Sequence, residues 1–111
     1  EAGARITFAT DWPVADVNPL RCIQADLTRP RYAGARDERL SLHEVLAAYT
    51  TGGAYAEHTD DRKGMLRPGY LGDLVVLSGD IEATPVHEIG AMTVMQTVVG
   101  GRVVWDAAQT G

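Results

Sequence analysis

Cysteine is almost missing from this 111-residue sequence: Cys22 stands alone, so no internal disulfide can form, and a reducing, cytoplasmic compartment is the one this composition fits. Positive charge is in deficit, with 10 Lys and Arg against 15 Asp and Glu for a net charge of -5. Such a field repels phosphate backbones, so no nucleic-acid partner is expected. Long apolar runs are lacking too, since stretches such as Leu74 to Leu77 fall far short of the roughly 20 residues a membrane helix requires. No membrane association is expected. The chain opens on Glu1 with no charged start followed by an apolar targeting run, and it reads as a piece of something longer.

What is present is ordinary globular composition, 45% hydrophobic and 23% charged, which argues against disorder. The length suffices for one domain with a hydrophobic core, and a second independent domain is not expected.

Arg5 to Thr10 is short, rich in β-formers and runs into Asp11, which predicts a buried strand with the aspartate at its C-terminal end. Asn18 before Pro19 predicts a helix from Pro19 to about Leu27, because asparagine accepts an orphan N–H and proline at the first helical position gives up nothing. Thr28 to Arg39 dissolves into Arg, Pro, Gly and Asp and reads as an exposed loop. Ser41 and Glu44 form a capping box, with Leu40 and Val45 placed to staple it. The helix so begun should carry Leu42, Val45, Leu46 and Tyr49 inward. It should break at Thr50-Thr51-Gly52-Gly53, with Ala54 to His58 as a second helical piece. Beyond Gly64 the period changes: Pro68-Gly69 predicts a turn, Asp73 to Leu77 a strand, and Met92 to Val99 with Arg102 to Asp106 a hairpin joined through Gly100-Gly101.

By spacing alone the chemistry is sparse. Asp11 at a strand end suits a metal ligand, since barrel enzymes place working groups there, but an aspartate capping its own loop is the commoner use. His43, His58 and His87 lie far apart with no metal-ligand spacing. Lys63, the only lysine, sits in a polar turn and reads as solvated. Arg29, Arg31, Arg36 and Arg39 could attract an anion, although the interleaved Asp37 and Glu38 favour a solvated loop face. Gly52-Gly53 and Gly100-Gly101 both read as turn glycines.

Several segments taken in order resemble the amidohydrolase superfamily, most closely the branch called amidohydrolase family 3, which includes N-substituted formamide deformylase-like hydrolases. Ala9-Thr10-Asp11-Trp12-Pro13-Val14 is similar to the Gly-Ser-Asp-x-Pro-Val segment ending that family's eighth barrel strand. Thr28-Arg29, Ala48-Tyr49-Thr50 and Ala54-Tyr55-Ala56 fall in matching order. Lys63-Gly64-Met65-Leu66-Arg67-Pro68-Gly69, then Gly72-Asp73-Leu74-Val75-Val76-Leu77, then Thr97-Val98-Val99-Gly100-Gly101-Arg102-Val103-Val104 resemble its tail. Departures are Ala9 and Thr10 for Gly-Ser, Gly72 for alanine, and Gly52-Gly53 at the helix break.

The resemblance implies an α/β fold: the C-terminal fragment of a (β/α)8 metal-dependent hydrolase barrel, with the last strand and closing helices in residues 1–63, and part of a composite β-sandwich in residues 64–111. It implies a small-molecule, amide-type substrate and a divalent metal, commonly zinc, in the full-length parent. Asp11 would be the metal ligand and catalytic carboxylate, with Trp12 and Arg29 as weaker substrate-contact candidates. A metal-activated water would cleave a C–N bond, the aspartate carrying the proton to the leaving amine. Alone, the chain is expected to be inactive and to hold no zinc tightly, because one carboxylate is too few ligands and one strand is too little barrel. The alternative is a free-standing, non-catalytic α/β binding or assembly module derived from such a tail. Substrate identity and assembly into a homo-oligomer stay open.

Overall fold

The computed structural model describes residues 3–14, 17–30, 32–37 and 39–109. Three helices, α1 (Pro19–Leu27), α2 (Leu42–Tyr49) and α3 (Thr51–Ala56), precede strand β1 (Leu74–Leu77), a 3-10 turn at Val86–Ala91, and strands β2 (Val94–Val99) and β3 (Arg102–Asp106). The mixed α/β character expected from the sequence is present, with the three strands in one antiparallel sheet of order β1-β2-β3.

Helix starts follow local chemistry. Asn18 accepts from the Leu20 N–H at 3.0 Å with Pro19 at the first helical position. Ser41 accepts from the Glu44 N–H at 3.2 Å while the Glu44 carboxylate accepts from the Ser41 N–H at 2.7 Å, closing the capping box. That second bond holds the Glu44 carboxyl below the ordinary carboxylate range. Of the two staple positions, Val45 is in the buried core and Leu40, partly buried, packs against it.

Gly52 and Gly53 do not break the helix: α3 starts at Thr51 and runs through both. The break is one residue wide, at Thr50, with φ -123° and ψ -83°. His58, expected within the second helix, lies beyond its end with φ 60°. The reason the chain tolerates glycine inside a helix is tertiary: a Cβ at Gly52 would lie 2.5 Å from the Ile6 carbonyl oxygen.

The predicted strand over Arg5 to Thr10 is not formed. Among the described residues no strand pairs with it, and Ile6 is 51% exposed. A strand needs a ladder partner to satisfy its backbone. This segment instead docks on helices, its Phe8 N–H donating to the Ala48 carbonyl at 3.0 Å.

Leu20 and Ile23 from α1, Val45 from α2, and Ile89 and Met92 from the 3-10 region form the buried cluster, edged by Phe8, Leu27, Leu40, Leu42, Leu46, Tyr49, Leu77, Ile81 and Val94. The 3-10 turn, for which the sequence offered no reading, is fastened to α1 where the Gly90 N–H donates to Gln24 Oε1 at 2.7 Å. Of the sheet, only Leu77 and Val94 reach this core, so the sheet touches the helical layer at one corner.

The hairpin turn is held from below. Gly100 and Gly101 have φ 58° and 78°, the pair of positive angles a two-residue turn demands. Asp73 accepts from the Gly100 N–H at 2.8 Å, and the Gly72 carbonyl accepts from the Gly101 N–H at 2.9 Å.

Candidate functional site

Asp11 opens a four-residue turn, its carbonyl accepting from the Val14 N–H at 2.8 Å. Its φ of 50° is left-handed backbone, which aspartate tolerates better than most residues. The side chain is exposed, and Trp12 beside it is 66% exposed, leading into a cis peptide at Pro13.

Arg29 follows α1 directly. The helix closes at Thr28, whose hydroxyl donates to the Gln24 carbonyl at 2.8 Å. Arg29 then lines a hollow of about 330 Å³ with Ile6, Phe8, Asp26 and Leu40. Burial pushes the Asp26 carboxyl above its ordinary range, and Arg29 offsets part of that rise. Ile6 and Phe8 belong to the segment leading to Asp11, so Arg29 meets that segment without reaching the aspartate in the same hollow.

In the arginine-rich loop, Arg29, Arg36 and Arg39 border a second hollow of about 110 Å³. Arg39 donates twice to Asp37, at 2.9 Å each, so the loop neutralises part of its own charge. Arg31 and Glu38 lie outside the described residues.

Lys63 is not merely solvated: its Nζ sits 2.6 Å from Glu57 Oε2, and that contact keeps the Glu57 carboxyl below its ordinary range. Both residues rim an open hollow of about 670 Å³ between α2, α3 and residues 63–66, which also takes in Leu46, Met65, Leu66 and Leu74. His43 pairs with Glu82 at 3.1 Å. His58 follows α3 and His87 lies on the 3-10 turn. Among the described residues no three His, Cys, Asp or Glu side chains come together in a way that could hold a metal ion. The described residues therefore do not by themselves assemble a ligand set for the metal that the family resemblance implies.

Two features escaped the sequence reading. The Tyr49 phenol lies beside the Cys22 thiol, and Tyr49 meets Phe8 edge-on with ring centroids 5.5 Å apart. The Arg5 guanidinium lies over the Tyr55 ring, 4.0 Å from its centroid. Neither pair has a periodic signature, since each joins residues tens of positions apart.

The model of the amidohydrolase family matches residues 1–105. This chain belongs to the amidohydrolase family. The amidohydrolase chain is 37% identical over 103 residues to protein LONG AFTER FAR-RED 3 of Arabidopsis thaliana, covering 89% of this chain and 18% of that protein. It is 31% identical over 101 residues to imidazolonepropionase of Bacteroides thetaiotaomicron, covering 91% and 23% respectively. With N-substituted formamide deformylase of Arthrobacter pascens it shares 29% over 104 residues, covering 91% and 19%. The amidohydrolase chain thus spans 18% to 23% of the length of these curated relatives. No solved structure matches it. Among the described residues of the amidohydrolase chain, no helix is long and apolar enough to cross a membrane.

Proposed function

We propose that this chain is the C-terminal part of a metal-dependent amidohydrolase that cleaves carbon–nitrogen, amide-type bonds in a small molecule. The observation that carries the reading is the family match over residues 1–105, joined to the small share of each relative that the chain covers. Residues 1–63 would close a (β/α)8 barrel, and residues 64–111 would complete a small β-sandwich. The sheet's exposed aliphatics, Val75, Val99, Val103 and Val104 among them, are what a layer lacking its partner leaves uncovered.

Asp11 is the residue proposed to serve the site, as one metal ligand and as the carboxylate that moves the proton. Its exposure and its place at the end of the docked segment leave it free to face a reacting group. Trp12, open to solvent beside it, and Arg29, facing the same segment, are the proposed substrate contacts. A catalytic zinc site takes three protein ligands, and the others are proposed to come from outside this chain. The chain alone is proposed to be inactive, with the cytoplasm as compartment and with neither nucleic acid nor membrane as partner.

The reading is tested by the reading frame upstream of Glu1. It should continue for roughly 400 residues, the length of a barrel with insertions and half a sandwich, and should encode a His-x-His near the start of that barrel. An initiation codon placed directly before Glu1 would overturn it in favour of a free-standing, non-catalytic module.

A further inference from the structure

The segment that carries Asp11 rests on α2 and α3: Phe8 meets the Tyr49 ring edge-on with centroids 5.5 Å apart, and three further contacts hold it. Phe8 donates its N–H to the Ala48 carbonyl at 3.0 Å, the Arg5 guanidinium lies 4.0 Å over the Tyr55 ring, and between them the Ile6 carbonyl lies directly on Gly52. A Cβ at Gly52 would come within 2.5 Å of the Ile6 oxygen and 3.2 Å of the Ala47 oxygen. Both are backbone atoms that cannot rotate aside. The neighbouring Gly53 is different: a Cβ there would meet only Thr7 Oγ1, at 3.8 Å, an ordinary contact.

Helix propensity alone would favour alanine at both positions, so the two glycines separate the needs of the helix from the needs of the docked segment. At Gly53 glycine costs helix stability with no steric return. At Gly52 it permits a close approach that no side chain allows. With no strand paired to residues 5–10 among the described residues, this approach, the Phe8 hydrogen bond and the ring contacts of Phe8 and Arg5 hold the segment where it lies. Asp11 begins its turn three residues beyond Phe8.

We propose that Gly52 is a positioning residue for the Asp11 carboxylate: the missing Cβ seats the Ile6 carbonyl on α3, and that seat sets where the Asp11 turn begins. The proposal rests on reading Asp11 as the site carboxylate, but its test uses neither metal nor substrate, so the two can fail separately.

Amide hydrogen exchange and backbone chemical shifts of the full 111-residue chain provide the test. In the unmodified chain the Phe8 amide should exchange at least tenfold more slowly than in an unstructured peptide. Gly52→Ala should abolish that protection and move the Asp11 and Val14 amide resonances while leaving those of β2 and β3 in place. Gly53→Ala should keep the Phe8 protection and leave the Asp11 resonances unmoved. The proposal is overturned by an unprotected Phe8 amide in the unmodified chain, or by a Gly52→Ala chain that keeps the protection. It is equally overturned if Phe8 protection is lost while Asp11 stays unmoved, if Gly53→Ala acts as Gly52→Ala does, or if Gly52→Ala also dissolves the sheet.

Discussion

Tyr49 shows how one side chain ties packing to pH. Its phenol is pushed up to about 12, first by burial, then by the nearby Asp26 carboxylate and by Cys22. An unfolded tyrosine releases its proton near about 10, so the folded chain holds the proton more tightly than the unfolded one. The sign follows directly: the contribution is complete below about pH 10 and is lost as pH rises toward 12. Tyr49→Phe keeps a ring against Phe8, so its urea midpoint should fall less steeply between pH 10 and 12 than that of the unmodified chain. Identical slopes in the two would remove Tyr49 from the account.

At the scale of elements, α2 depends on its first turn. Ser41→Ala removes the acceptor for the Glu44 N–H and should cost about 1 kcal/mol of stability in urea denaturation. A change below about 0.3 kcal/mol would mean that packing of Val45 and Ala48 alone sets the start of the helix. This capping box was legible in the sequence, as were the bounds of α1 and β3, because Asn18-Pro19, Ser41-x-x-Glu44 and Gly100-Gly101 are local signals whose chemistry acts within four residues. The segment 5–10 was misread for the opposite reason. Its β-former content is that of a strand, but a strand is a relation between two chains of backbone, and the helices offer Ile6 and Phe8 a seat instead. Gly52 and Gly53 were misread as punctuation because the demand on Gly52 comes from a carbonyl 46 positions away in sequence. The 3-10 turn, latched by Gln24 onto Gly90, was invisible on the same ground. Of the candidate site, Asp11 could be singled out only through its motif, since an exposed aspartate opening a turn has no distinguishing local pattern.

The whole molecule is looser than its length warrants. Its radius of gyration is 15.4 Å, against about 13 Å for a compact domain of this size. The fully buried side chains of any size, Ile89 and Val45, sit in the helical layer, while the sheet exposes Val75, Val99, Val103, Val104 and Trp105. A surface of that kind is a binding face or an aggregation hazard. Sedimentation of the isolated chain should therefore show self-association that grows with concentration and is reversed by Val103→Thr with Val104→Lys. A strictly monomeric chain at all concentrations would indicate that the sheet needs no cover.

The central claim is that Asp11 is one carboxylate of a hydrolytic metal site completed by the rest of a longer amidohydrolase. Zinc titration and turnover of an amide-type substrate, run on this chain and on the parent that carries it, test the claim most directly. The account predicts no submicromolar zinc uptake by the isolated chain, tight uptake by the parent, and a loss of at least about 100-fold in parental turnover on Asp11→Asn, the lower range for removing an acid–base group. A parent whose turnover survives that substitution unchanged, or an isolated chain that binds zinc tightly, would contradict it.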